Sequence, residues 1–228
     1  MKLILISLIC LSSYAFDQSY KDYEVFLDNY VKKVGHQSFV NYKDIKKDEL
    51  KKLSSTFETL KKTEFNNFTD DEKLAFWINV YNFYTISLIA ENYPVDSIKD
   101  LGSLFSSPWS KEFITIFKKR MSLDDVEHGT IRKHFNEPRI HFAVNCASLG
   151  CPSLNVKPFV ALKLDQQLSA VELNFLTNKE KNKLKGNTLF VSKIFKWYSE
   201  DFESFGGVEK YFEKKFEMKV NDIDYLDY

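Results

Sequence analysis

The chain has 228 residues, and Lys+Arg 32 balances Asp+Glu 32. It therefore carries no net field that would draw it to nucleic acid or to anionic lipid. Gly 7 and Pro 5 are too few for a turn-dense all-β sandwich, while an aromatic content of 16%, with Phe 21, supplies ample material for a buried core.

Residues 1–15 read as an export signal. Lys2 provides the positive start, residues 3–11 an uncharged apolar run, and Ser13-Tyr14-Ala15 the small residues ahead of a cut, so that Phe16 opens the mature chain. The apolar run falls short of the ~20 residues a membrane-spanning helix needs, and no later segment is long and apolar enough to span. Read instead as a core strand, the segment would make the cleavage pattern a coincidence. The expectation is a periplasmic or secreted protein with no membrane span after processing. Residues 16–228 hold no Pro/Gly/Ser-rich linker, repeat or low-complexity stretch, which favours a single domain.

Residues 20–34 and 44–60 each carry an apolar stripe at helical spacing, as expected of surface helices packed on a core. Thr69-Asp70-Asp71-Glu72 has the form of a capping box. The helix it opens runs through residues 74–84 towards Tyr93 and stops before Pro94. Being apolar all round, it is expected to be a buried central helix. Asn79 and Asn82 share one of its faces, and a buried amide without partners costs about 1–3 kcal/mol. They must either tie a neighbouring backbone or line a polar site.

Ser122 caps a second helix over residues 122–135, with Asp124 and Asp125 in its first turn. Glu127 falls in the middle of the less polar side, with His134 beside it and His128 and Arg132 on the flank. A buried carboxyl needs a partner, and Arg132, Arg139, His141 and the two asparagines are the candidates. Residues 139–146 alternate like a short strand, residues 147–152 form a loop, and residues 162–176 form another amphipathic helix. Residues 179–185 read as a solvated helix end, residues 188–192 as a strand, residues 192–202 as an aromatic-rich helix or turn, and residues 208–216 as a closing helix. His36, beside Gly35, reads as an exposed turn histidine. The sum is an α+β fold: a helix-dominated single domain with a buried central helix and a small β-sheet.

Five stretches together resemble the domain-of-unknown-function family 547. They are Ala75-Phe76-Trp77-Ile78-Asn79-Val80-Tyr81-Asn82, Leu123-Asp124-Asp125-Val126-Glu127-His128-Gly129, Arg139-Ile140-His141-Phe142-Ala143, residues 146–152, and Ser192-Lys193-Ile194-Phe195-Lys196-Trp197-Tyr198 with Asp201-Phe202. The similarity extends over about residues 39–216. It implies an exported bacterial protein. It also implies a site built on Asn79, Asn82, Glu127, His128 and Arg132 rather than on thiols, because plant members vary at the positions of Cys146 and Cys151.

Once Cys10 leaves with the signal, Cys146 and Cys151 remain, and an oxidising compartment favours their pairing. Three chemistries compete. In a thiol hydrolase or peptidase-like enzyme, Cys146 is the nucleophile and His128 or His141 the base. Glu127, Asn79 or Asn82 then orients the imidazole, and Asn79, Asn82, Arg132 and Arg139 contact substrate. On a strand, however, His141 and Cys146 would point to opposite faces. In a non-catalytic periplasmic binding or scaffold domain, a Cys146–Cys151 disulfide staples a loop and the polar residues form a buried network. In a metal or redox site, the cysteine pair would ligate a metal, but a lone Cys-x4-Cys pair lacks both zinc spacing and the Cys-x-x-Cys of redox proteins. No cofactor or metal is therefore expected, and the partner is expected to be a small molecule, a peptide or an envelope protein.

Overall fold

The computed structural model describes residues 15–103, 106–148, 150–186 and 188–226. The apolar run and most of the export signal lie outside the described residues.

The first helix, α1 (Lys21–Tyr30), buries Tyr23, Phe26, Leu27 and Tyr30. It stops earlier than its stripe predicts, because Val31 opens β1 (Val31–Val34), which pairs antiparallel with β2 (Gln37–Val40). Val31 and Val34 fit the helical spacing equally well, but β-branched residues suit a strand, and Gly35, at φ 60, makes the turn that closes the hairpin. Next come α2 (Lys47–Thr59), with Leu50, Leu53 and Phe57 buried, and the single turn α3 (Lys62–Phe65).

The predicted central helix is α4 (Asp70–Glu91). Its capping box forms as expected: the Glu72 amide donates to Thr69 Oγ1 at 3.2 Å, and the Thr69 amide to Glu72 Oε2 at 2.6 Å. Every residue from Leu74 to Ile89 is buried, as an all-round apolar sequence requires. Around it lies a cluster of aromatic rings that includes Phe26, Phe57, Phe65, Phe76 and Phe83.

A short hairpin, β3 (Ile114–Ile116) with β4 (Lys119–Met121), leads into the second predicted helix. That helix is capped at Ser122 as expected but is not uniform. It comprises α5 (Leu123–Val126), a π-helical turn (Glu127–Ile131) and α6 (Arg132–His134). Residues 139–146, read as a strand, instead form the helical turn α7 (Ile140–Ala143), followed by extended backbone at Val144. Among the described residues no strand pairs with this run to reward the extended form, and a side chain of α4 holds its backbone instead. The loop beyond leads to α8 (Leu164–Leu176).

In the last third, β5 (Lys183–Lys185) pairs antiparallel with β6 (Thr188–Val191), which pairs in parallel with β7 (Asp222–Tyr225). The residues read as a helix end at 183–185 are thus an exposed edge strand. Between β6 and β7 come α9 (Ile194–Trp197), a 3₁₀ segment (Ser199–Phe205) and α10 (Gly207–Phe216). They close a second aromatic cluster of Phe142, Phe175, Phe195, Phe202 and Phe212. The architecture is α+β as predicted, with three small sheets rather than one among the described residues. None of the described helices is long and apolar enough to cross a membrane.

Candidate functional site

The π-helical turn sets the geometry. A π turn adds one residue to the helical repeat, and here it begins at Glu127, which the ordinary helical advance from Ser122 already places on the apolar side. Glu127 points inward, only 6% exposed, while Thr130 Oγ1 donates to the Asp125 carbonyl five residues back at 3.0 Å. On the outer flank, Asp124, His128 and Arg132 follow at i, i+4 spacing. His128 Nε2 lies 4.0 Å from Asp124 Oδ1, and Arg132 Nη1 lies 3.2 Å from His128 Nδ1.

The inward carboxyl is met from the last third of the chain. Tyr198, at the junction of α9 and the 3₁₀ segment, donates its hydroxyl to Glu127 Oε1 at 2.9 Å. Tyr81 of α4 faces the same carboxyl. Burial, reinforced by that carboxyl, pushes both phenols above their ordinary range, so they remain donors. Of the candidate partners named from the sequence, Arg132 and His141 lie close enough to feel the Glu127 charge, while the hydrogen bond comes from Tyr198 and Arg139, Asn79 and Asn82 are engaged elsewhere.

Asp201, three residues beyond Tyr198 and hence on the same side of the turn, is the second anchor. Arg132 reaches it with a fork, Nε at 2.6 Å from Oδ2 and Nη2 at 3.0 Å from Oδ1. His141 Nε2 lies 2.5 Å from the same Oδ2. The ring of His141 stacks on Tyr198, with centroids 4.0 Å apart and planes at 22°, and Arg132 Cζ lies 4.9 Å from the Tyr198 centroid. Burial pushes the Asp201 carboxyl up, but hydrogen bonds from His141 and Arg132 outweigh it and hold Asp201 well below the usual carboxylate range. Burial lowers His141, against the pull of Asp201 and Glu127. A neutral ring facing a carboxylate carries its proton on Nε2, so the geometry assigns Nε2–H as donor. Nδ1 is then a buried acceptor with no hydrogen-bond partner among the described residues. The hydrogen bonds to Asp201 in turn hold the Arg132 guanidinium above its ordinary range.

The other sequence candidates are placed elsewhere. Asn79 donates to the Phe159 carbonyl at 2.7 Å and accepts from the Phe159 amide at 2.8 Å. Asn82 donates to the Ala143 carbonyl at 2.9 Å and accepts from the Asn145 amide at 2.8 Å. Each thus serves as a clamp on the 140–160 backbone, and both side chains are buried. Arg139 is held by Glu137 and Asp165, with Nη2 at 2.6 Å from Glu137 Oε2 and Nη1 at 2.8 Å from Asp165 Oδ1. It lines a cavity with Glu172, Tyr211 and Lys215, not the Glu127 cluster. Cys146 and Cys151 are joined in a disulfide, and Asn145 braces their loop by donating to the Pro152 carbonyl at 2.6 Å. His36 is exposed in the β1–β2 turn as expected, with Nδ1 3.0 Å from the Asn174 carbonyl oxygen of α8.

Three residues of the cluster escaped the sequence reading as site members: Tyr81, Tyr198 and Asp201. Tyr198 and Asp201 stood in one of the stretches that carried the family resemblance. Their i, i+3 spacing beside Phe202 was the available signal, since a buried Glu127 and a buried His141 require a donor and an acceptor from some other element. Among the described residues, no group of His, Cys, Asp and Glu side chains is arranged to hold a metal ion.

A family model described as "Protein of unknown function, DUF547" matches residues 65–176. No curated protein and no solved structure matches the chain.

Proposed function

We propose, from the match of residues 65–176 to the DUF547 family model, that the chain is an exported, non-catalytic binding domain of the periplasm or cell exterior. Its contact edge is the row Asp124, His128 and Arg132, braced from behind by Glu127, Tyr198, His141 and Asp201. The observation that carries this reading is mutual saturation. Asp201 is occupied by Arg132 and His141, Glu127 by Tyr198, and Cys146 by Cys151. A hydrolase needs a free nucleophile within reach of its base. Here the nucleophile candidate is oxidised, and the best-oriented imidazole, His141, is buried. His128 and Arg132, by contrast, are partly exposed, with side-chain exposures of 42% and 23%. They offer a cation-bearing edge to a small polar ligand, a peptide or an envelope protein.

A second reading has one observation in its favour. The Asp201–His141 pair has the geometry of an orienting carboxylate and its imidazole, and a reduced Cys146 would restore the thiol of a hydrolase.

Thiol titration with peptide mapping separates the two. The binding reading expects no free thiol in the native protein, a Cys146–Cys151 cross-linked peptide, and no turnover of a generic thioester or ester substrate before or after reduction. Turnover that appears on reduction and disappears in Cys146→Ser would establish the hydrolase instead.

A further inference from the structure

The junction between the expected signal and the mature chain is built into the fold. Phe16 is the first residue of the predicted mature chain, and its ring reaches the main aromatic cluster. Its centroid lies 5.6 Å from Tyr20, 5.6 Å from Phe76, 6.2 Å from Phe68 and 6.5 Å from Phe57. Its backbone nitrogen donates to Glu64 Oε1 of α3 at 2.6 Å. Ala15, Phe16 and Glu64, with Lys61 beside them, line an open cavity of ≈ 460 Å³, so the Ala15–Phe16 peptide lies at the surface while the Phe16 ring is anchored. A carboxyl placed on one backbone nitrogen so far away in sequence, 48 residues on, is worth more if that nitrogen is charged. An ammonium on a carboxylate makes a charge-assisted hydrogen bond about twice as strong as a neutral one.

We propose that cleavage after Ala15 leaves the Phe16 α-ammonium docked on the Glu64 carboxylate, so that removal of the signal completes the mature fold. Hydrolysis breaks the bond from the Ala15 carbonyl carbon to the Phe16 nitrogen. Water supplies hydroxide to the departing carboxyl and a proton to the nitrogen, and the freed amine takes a further proton from solvent. The Phe16 ring keeps the new terminus in place, and the amide that already donates to Glu64 becomes a cation at the same position. Lys61 is the competing cation on that cavity wall. The inference rests on the export reading for the cut itself, whereas the docking of the amine can be tested without it.

Two chains decide the docking: residues 16–228 starting at a free Phe16 amine, and the same residues preceded by Gly-Ser-Gly-Ser, which moves the charge away and leaves an amide at Phe16. At pH 6, below the ordinary α-amino range of about 7.7–8.0, and in low salt, the chain starting at Phe16 is expected to melt about 2–4 °C higher. That gap should close in Glu64→Gln, which keeps a neutral acceptor, and should shrink in 1 M salt without any substitution. Equal melting of the two chains, or a gap that survives Glu64→Gln, overturns the docking. Separately, the intact mass of the full chain after export from a bacterial host is expected to begin at Phe16. A mass that begins at another mature residue overturns the cut after Ala15, and a chain that keeps Met1 overturns the export reading, whatever the melting data say.

Discussion

Asp201 takes two hydrogen bonds from Arg132 and one from His141, which makes it the residue whose loss touches most of the candidate site. Asp201→Ala leaves a guanidinium and a buried imidazole N–H without their acceptor, at a cost of about 2–3 kcal/mol. Urea unfolding of the variant beside the parent chain measures it, and a loss below about 0.5 kcal/mol would mean that the fork is ornamental. The same pair shapes the acid limb of stability. His141 is held below its ordinary value, so between that lowered value and the unfolded value of about 6.5 the unfolded chain binds more protons. Stability is therefore full above about pH 6.5 and declines as pH falls towards the folded value. Asp201, also held low, adds a second loss below about pH 4, the unfolded carboxylate value. Melting temperature against pH should fall in both windows, and the lower fall should be shallower in Asp201→Ala; identical acid limbs would contradict the assignment.

Among the elements, α4 organises the rest. The capping box of Thr69 with Glu72 and the cap at Ser122 formed where the local sequence placed them, because a cap is satisfied within one turn and needs no distant partner. Thr69→Ala is expected to cost about 1 kcal/mol, read as a drop in denaturant midpoint at unchanged slope. A midpoint within error of the parent would show that tertiary burial alone holds the first turn of α4. Other elements were not legible in this way. The run Arg139 to Cys146 alternates like a strand, but a strand needs a ladder, and here Asn82 takes up the Ala143 carbonyl and the Asn145 amide. Val31 to Val34 fits a helix stripe and a strand equally, and only pairing with Gln37 to Val40 decides between them. The π-helical turn from Glu127 to Ile131 leaves no mark in a pattern read at 3.6 residues per turn, although that pattern does place Glu127 on the apolar side.

For the molecule as a whole, the two aromatic clusters bind the ends of the chain to its middle. The stretch 65–176 that matches the family model holds Phe142, Phe175, Glu127, Arg132 and His141 but lacks Phe195, Tyr198, Asp201, Phe202 and Phe212. It also lacks α1 and α2, whose Phe26 and Phe57 pack in the main cluster around α4. Made alone, residues 65–176 would expose both cores and leave three titratable side chains without their partners. No cooperative thermal transition is expected from that fragment, whereas residues 16–228 should melt in one step by calorimetry. A sharp transition in the fragment would show instead that the family stretch is a self-sufficient domain.

The chain by itself determined its class, its buried central helix, the caps and the anomaly at Glu127, because hydrophobic periodicity and capping act over a single turn or helix. It also marked Asn79 and Asn82 as groups that must find partners, and His141 as a candidate partner for Glu127. Which partners they found was decided only in three dimensions. Tyr198 and Asp201 lie 71 and 60 residues beyond the Glu127 and His141 they serve, and Asn79 clamps a backbone 80 residues away. Local pattern carries no information about such pairings. They are set when the two aromatic clusters close and place each buried polar group beside whatever donor or acceptor the packing supplies.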